Sequence, residues 1–183
     1  MYATFPGTTI EVGKHQRSRP DSAAEVLSNI FSTGGLVLSQ VSSLTGLEYY
    51  IIQNWVKRGF VPPPVKKLYS KDQFCRVVII NILKETLQIE KATKLLSYIN
   101  GVLSDESDDL ISDFELYNYY VNLVFSETGN TPPEEGIKKV LKDYKEPVPG
   151  ALQRLSKVLL VMYYAGQAAC YSKICNELLY ELG

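Results

Sequence analysis

The sequence predicts a mainly α-helical protein with one small β-hairpin, and three observations carry that expectation. Apolar residues recur three and four apart along most of the 183 residues. Glycines and short polar residues stand where such stretches begin and end. Three consecutive prolines, Pro62 to Pro64, interrupt the pattern between two basic residues, Lys57-Arg58, and two more, Lys66-Lys67. With 45% hydrophobic and 21% charged residues, the chain can build a core without disulfides.

Residues 1–20 show no periodicity and contain the patch Lys14-His15-Gln16-Arg17-Ser18-Arg19, so they read as a disordered or loosely docked arm. Pro20-Asp21 opens a short helix with Val26, Leu27, Ile30 and Phe31 on its apolar side, ended by Gly34-Gly35. Leu38, Val41 and Leu44 define a second short helix that runs to Thr45, and Gly46 suits the left-handed residue that closes it. Glu48 to Lys57 forms a third helix with Ile51, Ile52, Trp55 and Val56 on its apolar stripe, closed by Gly59. Trp55 is expected in the core. Two short helices around a glycine turn have helix-turn-helix spacing.

The prolines hold the following segment extended. Phe60-Val61 and Leu68-Tyr69 are expected to pair as two tiny strands, a minimal wing with Lys66 and Lys67 at its tip or returning arm. Ser70 and Gln73 form a capping box that opens a strongly apolar helix through Phe74, Val77, Val78, Ile80, Ile82 and Leu83. Leu87-Gln88-Ile89 leads into a helix through Leu95, Leu96 and Ile99 that stops at Asn100-Gly101. The acidic run from Ser104 to Asp109 reads as a linker. Leu110, Phe114, Tyr117, Val121 and Val124 then mark an amphipathic helix, and Ser126 to Asn130 a loop. Thr131-Pro132-Pro133-Glu134 reads as a capping box before a short helix through Ile137, Val140, Leu141 and Tyr144, broken by Pro147 and Pro149. Ala151 to Leu182 is the longest helical pattern, with Gly166 as the place for a bend.

Net charge is −1, but it is unevenly spread. From Leu38 to Gly101 nine basic residues face four acidic ones, and from Val102 to Gly183 seven face thirteen. A basic module joined to an acidic one suggests that one half meets a polyanion. Cys75, Cys170 and Cys175 cannot all pair within the chain and read as reduced, buried thiols. Cys170 and Cys175, five apart, make a poor metal pair, and the single histidine, His15, is remote, so no metal and no cofactor are expected. No Gly-rich phosphate loop, nucleophile elbow or carboxylate pair with a nearby base appears, so no enzyme is expected. No charged-then-apolar leader opens the chain and no apolar run reaches membrane-spanning length, which predicts a soluble, cytoplasmic protein without a membrane partner.

The stretch from Leu38 to Gly101 resembles the DNA-binding head of MerR-type regulators: helix, Gly46, turn, second helix, Gly59, prolines, basic wing, Leu68-Tyr69-Ser70, capped helix. In that family the turn glycine and the glycine ending the second helix lie thirteen apart, as do Gly46 and Gly59. The run "PPPVKKLYSKDQ…IINILK" is closer still to a bacterial family known as a domain of unknown function, catalogued as family 1836, itself regarded as MerR-like. The resemblance implies a MerR-like winged helix-turn-helix head over 21–101, followed by a C-terminal helical bundle over 102–183 for dimerisation or effector binding. It implies double-stranded DNA as the partner of a homodimeric transcriptional regulator. The helix from Glu48 to Arg58 would lie in the major groove, presenting Tyr49, Tyr50, Gln53, Asn54 and Lys57, with Gln53 and Asn54 suited to adenine edges. Arg58, Lys66, Lys67, Tyr69 and Lys71 would flank it on the phosphate backbone.

The chain departs from the family at Tyr50 and Gln53, which stand where MerR-type second helices carry arginines. Glu48 places an acid near the start of that helix, where it favours the dipole and repels phosphate. The wing is also shorter. The competing reading is therefore a protein-interaction module that keeps the scaffold and docks an acidic partner through the same basic patch. In the last helix, Ala165, Gly166, Ala168 and Ala169 allow close approach, and Leu155, Leu159, Met162, Leu178 and Leu182 are expected to face a second subunit. Tyr117, Tyr119 and Tyr120 read as packing residues, and a small-molecule effector stays unassigned.

Overall fold

The structure is a computed structural model that describes residues 4–13, 22–101, 109–126 and 132–182. Among them are eight helices: α1 Ala23–Ile30, α2 Leu38–Thr45, α3 Tyr49–Lys57, α4 Lys71–Leu83, α5 Ile89–Asn100, α6 Asp113–Ser126, α7 Pro133–Val140 and α8 Ala151–Glu181. The only strand-like pairings among the described residues are three isolated antiparallel bridges. The protein is thus mainly helical, as its periodicity predicts. No helix among the described residues is long and apolar enough to cross a membrane.

Helix α4 is the axis of the molecule. Its Phe74, Cys75, Val77, Val78, Ile79, Ile80 and Leu83 are fully buried, so it is covered on nearly every side. Each such isoleucine or leucine contributes about 1.5–3 kcal/mol of burial. Helices α2, α5, α6 and α8 all pack on α4, while α7 fills the angle between α6 and α8. One hydrophobic core therefore runs from Phe5 to Ala165 and crosses residue 101, where the sequence reading set a boundary between modules. The acidic run at 104–108 lies outside the described residues.

The entry into α4 is set as the capping pattern predicts. The Ser70 Oγ accepts from the Gln73 N–H at 3.2 Å, and the Gln73 Oε1 accepts from the Ser70 N–H at 2.8 Å. A matching device that the sequence reading passed over starts α6: the Ser112 Oγ accepts from the Glu115 N–H at 3.1 Å, while Glu115 Oε2 accepts from the Ser112 N–H at 3.4 Å. At α7 the N-cap is Pro132, with no side-chain cap. Ser126, the first residue of the predicted loop Ser126 to Asn130, is instead the last of α6; loop residues 127–130 and Thr131, the predicted capping residue, lie outside the described residues.

Several expectations are corrected. Residues 4–13 are firmly docked rather than a loose arm. Phe5 is 2% exposed and meets Phe125 edge-on at 5.8 Å. Tyr117 donates to the Pro6 carbonyl at 2.8 Å, and Asn81 Nδ2 donates to the Gly7 carbonyl at 3.0 Å. The segment turns back on itself through a Thr4–Glu11 bridge, so it has no helical period to read. The basic patch at 14–19 lies outside the described residues.

The last helix runs unbroken through Gly166. There the glycine makes room for the Tyr120 hydroxyl, which any Cβ would strike. Leu155, Leu159 and Met162 are fully buried within the chain's own core, not free for a second subunit. Cys75 is buried, and burial, then Asp72 and Asp113, push its thiol pKa well up. Cys170 and Cys175 are exposed, because α8 leaves the body before it reaches them.

Candidate nucleic-acid interface

The second and third helices meet through the turn Gly46-Leu47-Glu48. Gly46 takes φ 69° and closes α2 by donating to the Ser42 carbonyl at 2.8 Å. Ile52 and Trp55 anchor α3 in the core, at 0% and 5% exposure. The opposite side of α3 therefore faces out. It carries Tyr49, Tyr50, Gln53, Asn54 and Lys57, all exposed and all within one arc of the helix. Tyr50 is 69% exposed, which is high for a ring that size.

After Gly59 the chain does not form the predicted ladder. The amides of Phe60 and Val61 donate back to the Trp55 carbonyl at 2.9 and 3.4 Å. Pro62, Pro63 and Pro64 have no N–H to offer a partner strand. Instead Val65 and Leu68 pair across a two-residue turn, with N–H to carbonyl distances of 3.1 and 2.9 Å. Lys66 and Lys67 occupy that turn at φ 50° and 65°. The return arm pairs with the segment before α2: Tyr69 N–H donates to the Leu36 carbonyl at 2.7 Å, and Leu36 N–H to the Tyr69 carbonyl at 2.9 Å. Gly35 makes this possible, since a Cβ there would sit 2.7 Å from the Tyr69 carbonyl oxygen. Gln73 completes the brace by donating Nε2 to the Pro63 carbonyl at 2.9 Å.

Wing and third helix share one concavity. A hollow of about 550 Å³ is lined by Gln53 and Val56 of α3, Pro64, Lys67 and Tyr69 of the wing, and Val37, Leu38 and Ser39 at the start of α2. Gln53 and Lys67 thus line the same depression.

The remaining predicted residues are placed differently. Tyr69 is 3% exposed, and burial raises its phenol pKa; it lines the hollow but is otherwise packed into the core. Arg58 Nη2 meets Glu90 Oε1 at 2.6 Å, and its guanidinium lies 4.4 Å from the Phe60 ring centroid. The Glu90 carboxyl is held below its ordinary range by a backbone hydrogen bond and then by Arg58. This exposed, solvent-screened pair is exchangeable for a phosphate at small cost. The Lys71 ammonium lies 3.6 Å from the Phe114 ring centroid, on the side of α4 that meets α6. The structure therefore places Tyr49, Tyr50, Gln53, Asn54 and Lys57 on one face of α3, sets Gln53, Lys67 and Tyr69 around one hollow with Lys66 in the adjoining turn, and engages Arg58 with Glu90 and Lys71 with Phe114. Residues Val37 to Ser39, not among the predicted site residues, line the hollow; the only signal for them is their position at the N-cap and first turn of a short helix.

Below this face a polar hub ties the head to the bundle. Arg76, 5% exposed, donates Nε to the Phe60 carbonyl at 2.8 Å and Nη1 to Asp113 Oδ2 at 3.1 Å. Asp72 Oδ1 accepts from the Phe114 N–H at 3.0 Å, so α4 caps α6 directly.

A family model described as Domain of unknown function (DUF1836) matches residues 26–120. The chain belongs to that family. The DUF1836 match starts within α1 and ends within α6, so it takes in the α2–α3 pair, the wing and both partners of the Arg76–Asp113 bridge. An uncharacterized protein of Bacillus subtilis (strain 168), YkrK, is 27% identical over 133 residues, which cover 68% of this chain and 57% of the relative. The chain thus spans less than two thirds of that relative's length. No solved structure matches it at a significant level.

Proposed function

We propose that this DUF1836 protein is a DNA-binding transcriptional regulator of the MerR-like type. In this reading α3 enters the major groove, where Gln53 and Asn54 address base edges, and Lys66 and Lys67 hold the phosphate backbone. The observation that carries it is the shared hollow: Gln53 and Lys67 line one depression, so helix and wing face the same way. The basic excess of residues 38–101 supplies the matching charge.

The reading includes a homodimer through α8. From Cys170 to Leu182 every residue of that helix is exposed. Tyr164, Tyr171, Ile174, Leu178 and Leu182, spaced seven, three, four and four, form one apolar stripe, while Lys173 and Glu177 pair at 3.8 Å on the other side. A dimer would read a two-fold site with half-sites about one helical turn, or a multiple of it, apart.

Selection of bound fragments from the source genome, with affinity followed across salt, tests the proposal. A recovered palindrome with affinity that falls steeply as salt rises supports it. Absence of enrichment and of binding near physiological salt favours the second reading, a protein-interaction module. Glu48, the engaged Arg58 and the exposed Tyr49 and Tyr50 support that alternative.

A further inference from the structure

Beside the wing, the first turns of α4 and α6, the end of α5 and the segment after α7 border a cavity of about 960 Å³. Its chemistry is one-sided. Asp72, Asp109, Asp113, Glu115 and Asp143 line it against Arg76 and Lys145, and Arg76 is already bound to Asp113. Tyr119 and Tyr144 form one wall, edge to face at 6.4 Å. Burial raises both phenol pKa values, and nearby carboxylates raise them further: Glu115 and Asp143 at Tyr119, Glu146 and Glu115 at Tyr144. Acidic side chains thus outnumber basic ones around that wall.

Two acceptors in the lining have no donor. Asn100, 5% exposed, carries an Oδ1 without a hydrogen-bond partner, and so does Asp113 Oδ1. An unmatched buried acceptor is costly, and an arriving N–H donor removes that cost. Among the described residues no three of His, Cys, Asp or Glu come together in a way that would hold a metal ion, which turns the inference from an inorganic to an organic cation.

We propose that this cavity binds a small organic ammonium or guanidinium ion, its N–H groups meeting Asn100 Oδ1 and Asp113 and its stem lying against Tyr119 and Tyr144. The chemistry follows from what is present: unmatched oxygens require donors, surplus carboxylates require positive charge, and paired rings accept a short apolar stem. A cavity of this size suits a small molecule. The site does not depend on whether the α3 face binds DNA. It is, however, adjacent to the wing, since Val65 and Leu68 share its lining and Gln73 and Arg76 hold both the connector and the hub.

Titration calorimetry on the full chain near physiological salt tests this with 1,4-diaminobutane, using tetramethylammonium as a cation without N–H donors. The expected result is saturable one-site binding of the diamine and none of tetramethylammonium. Asn100→Leu should weaken the diamine about tenfold or more, the loss of one charge-assisted hydrogen bond, and raise the unfolding temperature by removing an unmatched polar atom. Asp143→Asn, on the exposed rim, should weaken binding severalfold with the fold unchanged, and it decides the matter if Asn100→Leu does not fold. Absence of saturable diamine binding overturns the proposal. So does equal binding of tetramethylammonium, or binding that neither substitution alters.

Discussion

Lys66 and Lys67 hold φ values of 50° and 65°, a left-handed pair that favours Asn-Gly in a two-residue hairpin turn. Lysine in that region is strained by about 1 kcal/mol or more per residue. Lys66→Asn combined with Lys67→Gly should therefore raise stability by about 1–2 kcal/mol, or about 2–8 °C in unfolding temperature. If the wing meets a phosphate backbone, the same double substitution should weaken binding to every sequence and flatten its salt dependence. Stability and affinity would then move in opposite directions, which thermal unfolding and a salt-resolved binding titration read separately. An unfolding temperature that falls would contradict the turn geometry; an unchanged affinity would remove the wing from the interface. Gln53→Ala should instead relax sequence preference with little loss of overall affinity.

At the same scale, Arg76 and Asp113 have side chains only 6% and 11% exposed. Asp113→Ala leaves a buried guanidinium with no carboxylate and should cost about 3–5 kcal/mol. Burial raises the Asp113 pKa more than Arg76 lowers it. The folded state then holds the proton more readily than the unfolded one. Stability contributed by this group should grow as pH falls from the folded pKa to the unfolded value near 3.8. Chemical denaturation of the wild type and Asp113→Asn between neutral pH and pH 4 checks the sign: the gap in favour of the wild type should widen on acidification.

At the scale of single elements, the helices were legible because their signals are local. Ser70 and Gln73 announce α4 three residues apart, and Gly46 announces the end of α2. The wing was legible only as a place. Its pairing depends on Leu36, thirty-three residues away from Tyr69, and on a glycine whose close approach no periodicity records. Sequence gives the order of the wing and not which side of it is buried, so the burial of Tyr69 was not legible. Helix α8 shows the same limit. Its period reveals an apolar stripe, but not that Leu155, Leu159 and Met162 belong to this chain's core while Ile174, Leu178 and Leu182 remain bare. The bare half, about 20 Å long at 1.5 Å per residue, gives the dimer reading a clear test. Ile174→Glu with Leu178→Glu should convert a dimer to a folded monomer in sedimentation velocity, with the thermal transition of the body retained. A wild-type protein that is already monomeric at tens of micromolar would remove the seam.

At the scale of the whole molecule, the charge boundary near residue 101 and the packing disagree, and the packing governs folding. Charge asymmetry reports what each surface meets, whereas cooperativity follows shared burial. Helix α4 is buried on nearly every side because α2 and α5 cover part of it and α6 and α8 the rest. Removing residues 102–183 would expose its far side and strand Arg76 without Asp113. The DUF1836 match, running to residue 120, follows the packing rather than the charge. A fragment of residues 1–101 should therefore show no cooperative thermal transition, while the full chain unfolds in one step. Trp55 fluorescence reports the basic part and far-UV circular dichroism reports the helices of both parts, so the two denaturation curves should coincide. Separated midpoints, or a cooperatively folded 1–101 fragment, would show two independent domains and would reduce the Arg76–Asp113 hub to a docking contact between them.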